Sequence, residues 1–392
     1  MSRLQELIQK LCPDGVEYKR LGSLCDLSRG KVYSKPYITA HEGNYPVYSS
    51  QTANDGELGR ISTYDYDGEY LTWTTDGAYA GTIFHRKGKF SITNVCGLIE
   101  VKSPEILNLR FLYYWLSIKA QEYVYRGMGN PKLMSNQMTP IEIPIPPLSV
   151  QEEIVRILDA FTFYAAELQA ELQARKEQYA YYRDQLLTFT PDDPAVKWMK
   201  LREVCVFING FAFKSSLFKD IGLPIIRITN IKGSTVDLSD VKYFSLGDYN
   251  TDLTQFKISK GDILVAMSGA TTGKVGCYID DRDAYINQRV GKFVPNEQLL
   301  NKRYLFHFLI SQTRELYVMA GGGAQPNLSS KKLMETWEIP IPSLSEQQRI
   351  VSILDKFEAL VNDLTEGLPA EIAAVQEQYE YYRNKLLSFP RK

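Results

Sequence analysis

One stretch of this chain is written twice. IPIPPLSVQEEIVRILD runs from Ile143 to Asp159 and IPIPSLSEQQRIVSILD from Ile339 to Asp355, 196 residues later, with twelve of the seventeen positions identical. A repeat at that period marks an internal duplication, so each half is read as one structural unit. Pro144, Pro146 and Pro147 forbid helix and fix an extended run. Ser149 with Glu152, and Ser345 with Gln348, then have the spacing of a capping box and predict where each helix starts.

From that start Ile154, Leu158, Phe161, Ala165, Leu168, Leu172, Arg175, Tyr179, Tyr182 and Leu186 step by fours and threes, the seam of a coiled coil with one polar member, Arg175. Neither Gly nor Pro falls between Ser149 and Phe189, which predicts a continuous helix of roughly 60 Å. The second copy keeps the seam at Ile350, Leu354, Phe357, Val361 and Leu364. Both copies close alike, on EQYAYYRDQLLTF from Glu177 and EQYEYYRNKLLSF from Glu377, which puts Tyr379, Tyr382 and Leu386 on the second seam. The closing blocks are 200 residues apart and the opening blocks 196, so the second helix has about one extra turn. Gly367 and Pro369 fall there and predict a kink or short interruption. Each helix has an apolar seam to cover, and the obvious cover is the other helix.

Each half also begins alike, with VEYKRLGSLC from Val16 and VKWMKLREVC from Val196, and Gly30 pairs with Gly210 at the same offset. Short β-rich runs follow: Asn44 to Ser50, Glu69 to Thr75 and Ser91 to Lys102 in the first half; Leu223 to Ile231, Asp262 to Met267, Lys274 to Ile279 and Ala284 to Val294 in the second. A helical run, NLRFLYYWL or NKRYLFHFL, then leads to a glycine loop and the proline stretch. The architecture read from this is α+β: two β-rich globules, each followed by a long helix, with the helices pairing as an antiparallel coiled coil about an approximate two-fold. The segments are 1–148, a first globule; 149–189, a first long helix; 190–344, a polar linker and second globule; and 345–392, a second long helix.

With 44% apolar and 23% charged residues, the chain has the composition of a soluble protein of two or more domains. SRLQELIQKL at the start is amphipathic rather than a signal peptide, and no apolar run approaches a membrane span. Five scattered cysteines without CxxC suggest buried thiols in a reducing cytoplasm, and three dispersed histidines do not make a zinc site. A formal charge of −1 implies no partner, so a nucleic-acid reading must rest on local patches.

The doubled proline-to-helix block, the Leu-rich entry to each globule, and GDILVAMSGATTGKVG from Gly261 with AYINQRV after it resemble the specificity subunits of type I restriction-modification systems. The resemblance covers essentially the whole chain. It implies that each globule is a target-recognition domain reading one half of a bipartite, gapped sequence in double-stranded DNA. It also implies that the helices space the globules and dock two methyltransferase subunits, that restriction and translocase subunits complete the assembly, and that S-adenosylmethionine, ATP and Mg act in those partners, with no catalysis, cofactor or metal in this chain. The repeated AELQ at Ala166–Gln169 and Ala170–Gln173 looks like the family's tetrapeptide spacer.

Base reading needs Arg or Lys for guanine and Asn or Gln for adenine, at the ends of β runs. Candidates are Thr74, Thr75, Tyr79, Lys89, Thr93 and Asn94 in the first half and Thr271, Thr272, Lys274, Asn287, Gln288 and Arg289 in the second. A solvated loop residue is the competing reading for each. The glycine loops, with Lys132 and Asn327, either approach a phosphate through backbone N–H groups or end the preceding helix. GATTGKV lacks the spacing and the Ser or Thr of a P-loop. Two other classes stay open: a self-contained hydrolase, for which clustered His, Cys or carboxylates are missing, and a coiled-coil scaffold, which leaves two elaborate globules unexplained. A specificity module of another DNA methylation or defence system is a nearer alternative.

Overall fold

The computed structural model describes residues 3–127, 129–323, 325–363 and 366–392. It divides into two units, one of residues 1–168 with 372–392 and one of residues 169–371. The long helix Leu148–Leu187 is continuous over 40 residues, and the unit boundary at Leu168/Gln169 falls inside the doubled AELQ. The fold is α+β in both units.

In the first unit, six strands form one sheet in the order Cys25–Arg29, Cys96–Val101, Tyr66–Thr74, Ile83–Ile92, Glu42–Tyr48, Glu57–Ile61. In the second, Cys205–Asn209, Val290–Pro295, Ile263–Ala266 and Val275–Cys277 take the first four places of an equivalent sheet, followed by the two-residue strands 235–236 and 231–232. A separate four-stranded sheet (Lys242–Phe244, Leu223–Ile226, Ala284–Ile286, Lys257–Ile258) belongs to the second unit alone. Four of the six strands of each sheet are therefore a shared frame, and Leu223–Ile226 runs parallel to Ala284–Ile286 as Glu42–Tyr48 does to the end of Ile83–Ile92. Each sheet curls until its first strand meets the end of another: Lys31 N–H donates to Ile92 O (3.2 Å) and Phe211 N–H to Ile286 O (2.9 Å). The paired glycines sit at this closure, because a Cβ on Gly30 would lie 1.9 Å from Ile92 O and one on Gly210 2.2 Å from Asn287 O.

The proline stretch is extended, as its composition predicts, and pairs with the entry of its own globule. Glu142–Ile145 lies antiparallel to Glu17–Arg20, and Glu338–Ile341 to Lys197–Lys200. Two-stranded edges tolerate the missing proline donors. The helix starts differ from expectation. Ser343, not Ser345, caps the second helix, accepting from Glu346 N–H. In the first helix Val150 and Gln151 N–H both donate to Pro147 O, so Ser149 lies inside the first turn. What fixes the start is a buried glutamine one turn in. Gln151 Nε2 donates to Pro146 O (2.7 Å) and Ile106 O (2.8 Å) while Oε1 accepts from Asn108 N–H (2.8 Å). Gln347 repeats this with Pro342 O, Leu299 O and Asn301 N–H. Asn108 and Asn301 in turn cap the globule helices Leu109–Lys119 and Lys302–Ser311.

The seam also divides by partner. Ile154 and Leu158 are fully buried in the core of the first globule, and Ile350 and Leu354 are fully buried at the matching positions of the second helix. Further along, Phe161 stacks on Tyr382 (5.6 Å, 26°) and approaches Tyr379 in the first unit, and Phe357 stacks on Tyr182 (5.6 Å, 25°) and approaches Tyr179 in the second. Leu168, Leu172 and Tyr179 are buried, whereas Tyr182 and Tyr382 keep 41% of their surface exposed. Leu186 and Leu386 are only half-buried, because Leu187 and Leu387 are the residues turned inward. Leu364 lies outside the described residues. The interruption occurs as predicted: one helix ends at Asn362 and the next runs Leu368–Leu386, with Pro369 in its first turn, where a missing N–H costs nothing.

Gln347→Leu strands one N–H and two carbonyls and should lower unfolding stability by about 3 kcal/mol. Ser343→Ala should cost about 1 kcal/mol, and Ser345→Ala less than about 0.5 kcal/mol. Urea unfolding of the three variants checks this ranking, which reverses if Ser345 were the cap.

Candidate nucleic-acid interface

The strands Tyr66–Thr74 and Ile263–Ala266 each run into a loop with the same pattern, GAYAG at Gly77–Gly81 and GATTG at Gly269–Gly273. Thr74 O and Ala266 O accept from Gly81 and Gly273 N–H (2.8 and 2.9 Å), and Gly77 O and Gly269 O accept from Ala80 and Thr272 N–H (3.0 and 3.1 Å). All four glycines have φ between +80° and +97°, a turn that side chains resist. The repeated pattern is thus a backbone shape, and no phosphate-gripping P-loop is involved.

A second wall is the turn Thr93–Val95 and its counterpart Asn287–Arg289. Val95 O accepts from Thr75 N–H (3.2 Å) and Arg289 O from Met267 N–H (2.8 Å). These turns break what the sequence suggests are single runs, Ser91 to Lys102 and Ala284 to Val294, into two strands each. A third wall follows the glycine loops. Gly77 and Gly269 N–H donate to Pro131 O and Pro326 O (3.1 and 3.3 Å), and Leu133 and Leu328 N–H to Thr75 O and Met267 O (2.9 and 2.7 Å). The second glycine loop also ends a helix, Thr313–Met319, with Gly322 N–H on Tyr317 O, as the helix-ending reading of that loop expects. Finally, Thr93 and Asn287 N–H donate to Tyr48 O and Ile226 O (2.8 and 2.9 Å), which joins the segment after each of those strands to the cluster.

Main-chain bonds therefore carry the frame, and the side chains on it differ between units. In the second unit Ser268, Gln288, Arg289, Gln325 and Asn327 line an open cleft of about 620 Å³ with Gly269 and Pro326. The side chains of Gln288, Arg289, Gln325 and Asn327 have no hydrogen-bond partner among the described residues, and Ser268 Oγ is buried without one. The four exposed side chains are free to meet a polar ligand, and Ser268 Oγ, buried without a partner, is the one polar atom of the cleft left at a cost. In the first unit the same positions hold Asp76, Asn94, Val95 and Lys132, and Arg29 reaches Thr75 Oγ1 (3.3 Å). Lys132 pairs with Asp76 at 3.7 Å, while Asn94 and Tyr79 are exposed.

Several sequence candidates have other duties. Thr74, Thr75, Thr93 and Thr272 are buried and bonded internally, to Tyr79 O, Val95 O, Ser49 Oγ and Gly269 O respectively. Their hydroxyls hold the loops and cannot reach a base. Thr271 donates to Ile228 O (3.3 Å). Lys89 lies on its strand opposite Asp67, over the Tyr64 ring at 4.7 Å, away from the three loops. Lys274 opens into a different hollow, beside Tyr179 and Val361. Those that do assemble are Asn94, Lys132 and Tyr79 in one unit and Asn287, Gln288, Arg289 and Asn327 in the other. Arg29, Ser268 and Gln325 were not singled out from the sequence, although the GAxxG repeat at an offset of 192 could have located the first wall.

The chain's one close cluster of possible metal ligands among the described residues is His307, Asp355 and Glu358. Arg303 already pairs with both carboxylates, and His307 bridges Asp355 (2.7 Å) and Tyr179 OH (3.1 Å). A guanidinium in that place neutralises the carboxylates, so the cluster reads as a joint between globule helix and long helix. Arg110, Tyr114 and Asp159 form the matching joint in the first unit. Burial alone would raise the Asp355 carboxyl, but hydrogen bonds from His307 and Arg303 hold it below the ordinary carboxylate range. The five cysteines are free and buried, and burial pushes the thiols of Cys25, Cys96 and Cys205 up to about 12, the direction expected of packed structural thiols. No helix among the described residues is long and apolar enough to cross a membrane.

A family model described as "Type I restriction modification DNA specificity domain" matches residues 13–177 and again 195–374. A candidate type I specificity subunit of Mycoplasma pneumoniae is 33% identical over 94% of this chain and 97% of its own length. The specificity subunit of the type I restriction enzyme EcoR124I/EcoR124II of Escherichia coli is 36% identical over 72% of this chain and 71% of its own. Among solved structures, the S subunit of a type I restriction-modification system from M. genitalium superposes with a TM-score of 0.62 at 17% identity, covering 97% of this chain and 98% of the other. That last likeness is one of fold.

The Asp355 carboxyl is held low in the folded state, so its contribution to stability is present above the usual carboxylate range and is lost as pH falls through and below it. Its side chain is 40% exposed, which discounts the pair toward surface values, so Asp355→Asn should cost about 1–2 kcal/mol at neutral pH. The difference from the parent chain should narrow in acid, as read by urea unfolding across pH.

Proposed function

The chain belongs to the type I restriction-modification DNA specificity family, and from that premise we propose that it is the DNA-reading subunit of a type I complex, each unit contacting one half of a bipartite, gapped target. One observation carries the reading: both units build the same backbone frame of three loops and arm it with different side chains. A common frame presents each face to a groove in the same way, and unlike faces then select unlike sequences. In the second unit Arg289 suits guanine O6 and N7, and Gln288, Gln325 and Asn327 suit adenine. In the first, Asn94 and Lys132 sit in the matching places, Lys132 being placed for a phosphate as readily as for a base.

The long helices, on this reading, set the distance between half-sites and dock two methyltransferase subunits, with restriction and translocase subunits joining them. S-adenosylmethionine, ATP and Mg act in those partners, and this chain contributes geometry. Each AELQ lengthens a helix by about 6 Å and advances it by about 40° beyond a full turn, against about 3.4 Å per base pair.

Mapping methylated bases with the chain and its methyltransferase partner should give a gapped motif whose two halves differ; a continuous or palindromic motif overturns the reading. Deleting Ala170–Gln173 should keep both half-sites and shorten the gap by one or two base pairs, about 6 Å of helix; an unchanged gap refutes the spacer role.

A further inference from the structure

In the first unit the loop after the strand Glu42–Tyr48 contains the only non-glycine residues with positive φ among the described residues, Asn54 (φ 50°) and Asp55 (φ 52°), and Gly56 continues the turn at +78°. Three consecutive left-handed residues are disfavoured for L-amino acids and persist only where the surroundings over-determine them. Here the surroundings do so. Arg86 is 3% exposed and its guanidinium lies 3.7 Å from the Tyr48 ring centroid and 4.4 Å from that of Phe84. From that slot it donates to the Asp55 carboxylate and to Asp55 O (2.7 Å). A buried cation is thus committed to holding one exposed turn in shape.

The turn adjoins the interface. Ser50, where the loop begins, donates to Val95 O and accepts from Thr75 N–H, and Ser49 Oγ accepts from Thr93. Asn54 is exposed at the tip, and its amide has no hydrogen-bond partner among the described residues. Asp55 is turned back to Arg86, so Asn54 is the group the turn presents. A carboxamide carried on a turn whose backbone is held in this way offers a donor and an acceptor side by side, the pair that matches adenine N7 and N6 in the major groove.

We propose that Asn54 is a specificity-determining residue that reads an adenine in the half-site of the first unit, with Asp55 and Arg86 as its positioning residues. The proposal rests on the reading of the two units as DNA-recognition modules. The described residues of the second unit include no equivalent turn: the segment after Leu223–Ile226 is a short right-handed turn, Ile228–Asn230, anchored by the buried Asn230 amide on Asp237 O and Asp240 O. The effect is therefore confined to one half-site.

The test uses the full chain with its methyltransferase partner, mapping methylated motifs for the parent chain, Asn54→Ala and Asp55→Gly. Asn54→Ala should lose about 10- to 100-fold of discrimination at one A·T pair of the first unit's half-site, leaving the other half-site and the gap unchanged. Asp55→Gly keeps the left-handed turn and the Arg86 bond to its main-chain carbonyl but removes the carboxylate, and should relax the same position less. Unchanged discrimination throughout that half-site in Asn54→Ala, or a loss confined to the other half-site, overturns the proposal. Were Asn54→Ala to stop methylation, competition by duplexes altered one base pair at a time decides: selective relief at one A·T pair supports it, and a uniform loss overturns it. If the parent chain itself gives no gapped motif, the failure lies in the function proposed above.

Discussion

A single buried amide in each half decides where globule stops and rod begins. Gln151 and Gln347 each tie three backbone groups together: a proline carbonyl of the proline stretch, a carbonyl of the loop before the globule helix, and the N–H of that helix's capping asparagine. In a buried place each of those groups would otherwise be orphaned. The long helix therefore leaves its globule at a set point and in a set direction, and the apolar residues of its first turns, Ile154 and Leu158 or Ile350 and Leu354, follow into buried positions. The ion-paired joints at Asp159 and Asp355 lie a turn or two further on and pin the same helices from the side.

From that anchored frame the units diverge in a graded way. The entry strand, the proline strand and four strands of the sheet keep their order, and the loops at the sheet's end keep their backbone hydrogen bonds, while the outermost strands of the sheets and the loop side chains do not correspond. The joint shows the same grading on a small scale: Tyr114 in one unit is His307 in the other, and both hydrogen-bond to the aspartate of the long helix.

Much of this was legible in the sequence because repetition exposes what a fold requires. The duplicated blocks located the helices, the extended proline strands and the interruption near Pro369, each through a covalent constraint that acts locally. Ser149 and Ser345 have the spacing of a cap but lie two residues too far on, because the start is set by a glutamine two of whose three partners lie more than 40 residues away. The threonines failed as interface residues for a related reason. A hydroxyl next to a strand end looks equally suited to a base or to a neighbouring carbonyl, and only the curl of the sheet, which brings Val95 to Thr75 and Pro326 to Thr272, settles the matter. The coiled-coil pattern could not tell a neighbouring helix from the helix's own globule, because both select the same apolar spacing.

The frame of the interface is held by peptide groups, so the residues facing outward from it have almost no structural obligation. Substitution at Gln288, Arg289, Asn94 or Lys132 leaves the main-chain ladder intact, whereas the glycines of the GAxxG turns cannot drift without loss of shape. A polypeptide organised in this way can acquire new preferences by small steps that never pass through a misfolded state, and its stability and its selectivity are free to evolve on separate clocks.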